Sequence, residues 1–357
     1  MALDLSADIV TLTAAVCDIE SVSRDEGALA DALEAALRPL PHLEVTRHGH
    51  TIVARTDLGR AERVVLAGHI DTVPLTDPPN LPVRREVVDG EEVLYGRGTV
   101  DMKGGVAVQL RLAHEVREPS RDLTFVFYEA EEIEATYNGL KLLGESHPDL
   151  LEADFAVLLE PTASAVEGGC KGTMRVEIRT KGIAAHSARP WKGHNAIHDA
   201  ADILRRLSDY EEQTVEVDGL EYHEALQAVA ITGGIAGNVI PDACTVTVNY
   251  RFAPDKSAEQ ALAHVQSVFD GYELTVTDMA EGARPGLDRP AAQAFVEALG
   301  VPVGPKEGWT DVARFSTLGV PAVNFGPGDP NLAHHDEERC PTAQLVEAEA
   351  AMLRWLA

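Results

Sequence analysis

Apolar runs and helical stripes alternate along the first 170 residues. Ser23 and Glu26 have the spacing of a capping box, and Leu29, Leu33 and Leu37 then recur on one helical face. "RVVLAGHIDTVP" carries a continuous apolar run, 64–67, which predicts a strand buried on both faces and running into a polar turn. "GGVAVQLRLAHEV" has a helical stripe, and "LTFVFYEA" and "FAVLLEP" are further buried strands. Short apolar strands separated by helices predict an α/β domain with a mostly parallel sheet.

From Lys171 the rhythm changes. "TMRVEIRTKG" alternates Met174, Val176 and Ile178 with Arg175, Glu177 and Arg179, the period of a half-exposed strand. Helices are predicted at 195–207 and 258–269, and "CTVTVNYRF" alternates again through Val246, Val248 and Tyr250. Strand–helix–strand–strand–helix–strand describes a ferredoxin-like α+β module. Its expected span is 171–281. A helix at 290–299, the strand "PAVNFG" and a C-terminal helix through Leu345, Met352 and Leu356 return to α/β character. The expected organisation is a discontinuous domain, 1–170 and 282–357, interrupted by the inserted module.

Composition narrows the partners. A formal net charge of -28 repels nucleic acid and anionic membranes, and an anionic substrate needs a locally basic pocket. Cys17, Cys170, Cys244 and Cys340 are scattered with no C-x-x-C pair, which disfavours a zinc ribbon or redox motif. "MALDLSADIV" lacks the marks of a signal peptide, and no long apolar span is present, so a cytoplasmic protein with free thiols is expected.

Candidate chemistry sits where the predicted strands of the outer domain end. His69 and Asp71 lie in "AGHIDTVP", Asp101 in "YGRGTVDMKGG", Glu131 and Glu132 in "YEAEEIE", Glu160 in "LLEPT", and His334 and His335 in "LAHHDEERC". Ligands of open α/β sheets collect outside the carboxyl ends of strands. Each group alone has a plainer reading: a solvated loop for the glutamates, a helix N-cap for Asp101, a turn for Glu160, a surface loop for His334. Together, two histidines and three carboxylates can hold two divalent ions if one carboxylate bridges. A further carboxylate outside the ligand set can act as general base. Asp71 is placed to hold the second nitrogen of the His69 imidazole. Two look-alikes fail: "GRGTVDM" does not complete G-x-G-x-x-G, and "IAAHS" is not G-x-S-x-G.

"GHIDTVP", "GRGTVDMKGG", "EAEE", "LLEPT" and "AHHDEE", in that order, resemble the dinuclear zinc amidohydrolases of the aminoacylase and carboxypeptidase-G type. The resemblance spans essentially the whole chain. It implies a zinc-hydrolase catalytic domain with an inserted lid and dimerisation domain. It implies that His69 and Glu160 bind one zinc, Glu132 and His334 the other, and that Asp101 bridges both; cobalt or manganese would suit the same donors. Glu131 would be the general base and Asp71 would orient His69. The family's closing signature, His-x-x-Asp/Asn-Glu, here ends in Glu337-Glu338, and its spacing favours His334 over His335. In the inserted module, His186 would stabilise an oxyanion, from its own or a partner subunit. Asn238 and Arg251 would contact a substrate carboxylate, and with Lys171, Arg175 and Arg189 would make the basic pocket. Thr310, Asp311 and Arg314 would line the substrate site.

The resemblance implies hydrolysis of an N-acyl amino acid by a homodimer joined through the inserted domain. "NLPVRR", "GWTDVARFSTLGVPAVNFGPGDP" and "NLAHHDEERCP" narrow it to desuccinylases acting on N-succinyl-LL-2,6-diaminopimelate. Acetylornithine deacetylases, small zinc carboxypeptidases and a catalytically silent metal-binding relative are the competing readings.

Overall fold

The computed structural model describes residues 2–357. The chain divides into two compact units: residues up to Gly168 with Pro285–Gly304 and Arg314–Ala357, and Gly169–Arg284 with Pro305–Ala313. The stretch Pro305–Ala313 departs from the expected division, which kept all of 282–357 together. Side-chain contacts tie it to the second unit. Lys171 pairs with Glu307 at 2.5 Å, the Trp309 indole donates to the Glu281 carbonyl, and the Cys170 thiol donates to the Thr310 carbonyl.

The first unit is built on an eight-stranded sheet. Its centre consists of Asp122–Tyr128, Arg63–His69, Phe155–Leu158 and Ala322–Asn324, neighbours in that order and all parallel. These strands are buried almost throughout, as their unbroken apolar runs require. Antiparallel pairs flank them: Thr51–Arg55 joins Asp122–Tyr128, and Val166–Gly168 joins Ala322–Asn324. Register sets His69 opposite Tyr128 and Ala67 opposite Leu158, so three strands release their chains at the same edge. Helix Lys103–Glu115 packs on Arg63–His69. Phe295 from helix Pro290–Leu299 stacks edge-on against Trp355 of the C-terminal helix and against Phe325, closing the core.

One local expectation is corrected. The Ser23–Glu26 capping box does not form; helix Gly27–Leu37 has no side-chain cap bond. The Ser23 hydroxyl donates instead to Asp71 at 2.7 Å. Leu29, Leu33 and Leu37 are fully buried on the expected face.

The second unit has five antiparallel strands in the order Gln213–Val217, Leu220–Gly233, Ala243–Phe252, Gly172–Lys181, Leu274–Ala280. Without the first of these, it is the ferredoxin-like order. The extra strand pairs with its successor across Asp218-Gly219, both with positive φ, the signature of a tight hairpin turn. Met174, Val176, Ile178, Val246, Val248 and Tyr250 face its core, under helices Ala196–Ser208 and Ala258–Val268. Asn195 caps the first helix, and Ser257 with Gln260 closes a capping box on the second. Among the described residues, no helix is long and apolar enough to cross a membrane.

Candidate metal centre

The parallel register delivers four of the predicted residues to one sheet edge. His69 is the last residue of its strand. Glu131 and Glu132 follow Tyr128, and Glu160 lies two residues beyond Leu158. Asp101 arrives from the loop before helix Lys103–Glu115, and His334 from the loop after the turn Pro330–Leu332. Two groups of potential ligands result, His69–Asp101–Glu160 and Asp101–Glu132–His334, and within each all ligand atoms lie within 4.8 Å of one another. Asp101 is common to both. Its Oδ1 is 3.0 Å from His69 Nε2 and its Oδ2 is 3.3 Å from His334 Nε2. His334 Nε2 is also 2.9 Å from Glu132 Oε2. His335 belongs to neither group; its Nδ1 accepts from the Glu337 backbone N–H at 3.1 Å.

The electrostatics of this set call for positive charge. Asp101 and Glu132 raise the His334 imidazole to about 10. Burial alone would lower His69, but the Asp101 and Asp71 carboxylates outweigh it and raise the imidazole well above its ordinary value. Burial pushes Asp101 up, yet the two imidazoles pull it down overall. Burial raises Glu132, the His334 bond opposes the rise, and the Asp101 charge adds to it. Imidazole nitrogens and carboxylate oxygens in this number are a donor set suited to divalent ions such as zinc.

Asp71 is fully buried behind the cluster. It accepts the backbone N–H groups of Glu131 and Glu132 at 3.0 and 3.1 Å and lies 3.4 Å from His69 Nδ1. One carboxylate therefore orients the imidazole and pins the turn that carries both glutamates. Sequence reading missed the fourth donor, Ser23; its cap-like spacing was the misleading signal. It also missed Glu338 as a contact of the site: its carboxylate accepts the Asp101 backbone N–H at 3.2 Å. Glu129, from the same glutamate-rich turn, is half-buried and accepts the His50 backbone N–H at 2.9 Å.

The second unit holds the other predicted residues. His186 is exposed and stands opposite Val239 in a two-residue ladder, and Asn238 accepts from the Ser187 backbone N–H at 2.9 Å. Arg251 and Arg175 lie on neighbouring strands, across from Thr173 and Asn249. Burial, then the Arg175 charge, lowers the Arg251 guanidinium. Lys171 is buried, with its ammonium on the His223 carbonyl and Glu307, so its charge is already matched. Thr310 and Asp311 are buried in this unit; Arg189 is exposed. Arg314 lies in the first unit, on helix Val312–Thr317.

A family model, "Peptidase family M20/M25/M40", matches residues 65–357. The chain belongs to this family. A succinyl-diaminopimelate desuccinylase of Corynebacterium glutamicum is 44% identical, with 99% of this chain and 97% of that protein covered. A Mycobacterium tuberculosis protein, named provisionally for the same activity, is 52% identical over 99% of each chain. Among solved structures, a Staphylococcus aureus tripeptidase superposes with a TM-score of 0.80 at 22% identity, covering 100% of this chain and 98% of that one. A dinuclear metal-binding peptidase of the same family from Bacillus subtilis superposes at 0.68 and 18%, covering 97% and 96%. These two likenesses concern the fold.

Proposed function

We propose that this M20 enzyme is a metal-dependent amidohydrolase that converts N-succinyl-LL-2,6-diaminopimelate to succinate and LL-2,6-diaminopimelate. Whole-chain identity of 44% to a protein named for that reaction supports the substrate. The observation that carries the chemistry is the pair of ligand groups sharing Asp101. His69 and Glu160 would hold one ion, Glu132 and His334 the other, with Asp101 available to both. Two zinc ions fit these donors; cobalt and manganese are the alternatives. Bound zinc would polarise the scissile carbonyl and lower the pKa of water toward about 7.

The remaining work falls to side chains. Glu131 accepts the proton of the attacking water and returns it to the leaving amine. Asp71 holds the Glu131 and Glu132 amides and keeps Nδ1 of His69 protonated, so that Nε2 is free to bind. His186, of its own or a partner subunit, would donate to the developing oxyanion, a contact whose loss typically costs about 2.7–4 kcal/mol of barrier. Arg251, Arg175 and Asn238 recognise substrate carboxylates. Lys171 and Thr310 shape that pocket, with Lys171 acting through its pairing with Glu307. We further propose a cytoplasmic homodimer joined through the second unit. There, strand Leu220–Gly233 is paired with Gln213–Val217 only as far as Glu224, and its further part presents Val229 and Ile231, 55% and 49% exposed.

A substrate panel on metal-reconstituted protein tests the reading. N-succinyl-LL-2,6-diaminopimelate should be hydrolysed far faster than N-acetylornithine or dipeptides, with two ions per chain measured alongside. Preference for N-acetylornithine or a dipeptide would remove the substrate assignment, and one ion per chain would remove the shared role of Asp101.

A further inference from the structure

Asp101 and His334 hang on separate loops, and one buried ion pair ties those loops together. Glu338 is fully buried. Its Oε1 accepts the backbone N–H groups of Val100 and Asp101 at 3.0 and 3.2 Å, and its Oε2 accepts from Arg97 Nη1 at 2.7 Å. Arg97 is buried too. Its Nη1 also donates to the His335 carbonyl at 3.3 Å, and its Nε donates to the Pro74 carbonyl at 3.1 Å. The Gly96 N–H returns to the Glu338 carbonyl at 3.0 Å. Arg97, itself on the loop that leads to Asp101, thus reaches the loop that follows His69 and Asp71 and the residue next to His334. Neither Arg97 nor Glu338 is in a ligand group.

We propose that Arg97 and Glu338 are positioning residues that set the separation of the two ion sites. The inference rests on reading Asp101 as the shared ligand. That carboxylate must offer Oδ1 on the His69 side and Oδ2 on the His334 side. Paired ions sit about 3.5–4 Å apart, and a working site tolerates errors of only about 0.5 Å. The Asp101 loop, "YGRGTVDMKGG", is rich in glycine and supplies little stiffness of its own. Its rigidity comes from the Glu338 carboxylate gripping two successive amides. The Arg97 fork then relays that grip to both neighbouring loops, which a lysine's single point charge cannot do.

The test uses Mn2+ alone, titrated into metal-stripped wild type, Glu338→Gln and Arg97→Lys. Calorimetry reads ion affinity, electron paramagnetic resonance reads the spin coupling of an adjacent Mn2+ pair, and circular dichroism reports folding. Wild type should take up two coupled ions. Both variants should bind the first ion as wild type does and the second about 10–100-fold more weakly, with the coupled signal lost or altered. A folded variant with wild-type second-ion affinity and an unchanged coupled spectrum overturns the proposal. Should Glu338→Gln fail to fold, Arg97→Lys carries the same decision, because it keeps the charge. Two uncoupled ions in wild type would instead overturn the shared role of Asp101, a result visible without either variant.

Discussion

Asp71 shows how much one buried carboxylate can organise. Burial raises its carboxyl, but the bonds to His69, Ser23 and the Glu131 amide bring it below its ordinary value. It stays ionised and fixes His69 and the Glu131–Glu132 turn with the same two oxygens. Glu131 is the sequence neighbour of Glu132 and belongs to neither ligand group. Glu131→Ala should retain both ions and lose turnover by about 10²–10⁴-fold, the range of general acid–base catalysis. Metal analysis beside kcat checks this, and loss of an ion would make Glu131 a ligand. Far from the centre, Asp122 is buried and accepts the Leu58 and Arg60 amides and the Thr56 hydroxyl. Burial pushes it up, but those bonds lower it below 3.8 overall. A depressed folded value means stability that is present above 3.8 and lost as pH falls through the folded value. Asp122→Asn should cost about 1–3 kcal/mol at neutral pH. The gap to wild type in urea midpoint should shrink below 3.8; a gap independent of pH would exclude the carboxylate's charge as its source.

Helix Lys103–Glu115 meets the sheet at a glycine, and that contact governs where Glu160 sits. A Cβ on Gly105 would lie 2.0 Å from the Leu159 carbonyl oxygen. The obstacle is backbone, so no side-chain rotation relieves it. Leu159 immediately precedes Glu160, while Asp101 lies two residues before the same helix, at the end that carries Gly105. Gly105→Ala should therefore push apart two ligands of one ion. Overpacking typically costs about 1–3 kcal/mol, and denaturant unfolding should show at least that. Metal affinity should fall as well. Unaltered affinity in a destabilised variant would mean that the helix moves without taking Asp101 or Glu160 with it.

The whole molecule carries a charge of -28, and the proposed substrate bears three carboxylates against one ammonium. Encounter is between like charges. Raising salt from about 10 mM to about 150 mM shortens the Debye length from about 30 Å to about 8 Å. kcat/KM should therefore rise over that range; a fall would show that a basic pocket, with Arg251 and Arg175 as its candidates, dominates the approach. The proposed assembly gives a second test at this scale. Ile231→Glu puts a charge on the exposed stretch of strand Leu220–Gly233 and should shift the protein from dimer to monomer in sedimentation velocity. A variant that still sediments as a dimer would place the interface elsewhere.

The linear pattern determined a great deal here because burial and period are local properties. Continuous apolar runs made the central strands readable, alternation exposed the ferredoxin-like unit, and strand ends marked His69, Glu132 and Glu160. Strand Gln213–Val217 and its Asp218-Gly219 turn went unpredicted. Tertiary structure alone decided which spare donors and charges found partners. Ser23 looks like a helix cap in one dimension and proves to be a donor to Asp71, 48 residues away. Lys171 looks like a free cation until Glu307 is folded against it. His334 and His335 are neighbours of one type; the loop's path sends the first toward Asp101 and Glu132 and turns the second back on Glu337. The tie from Arg97 to Glu338 spans 241 residues. Hydrophobic period is written into each short stretch, whereas a hydrogen bond between distant loops exists only once the parallel register has brought those loops to the same edge.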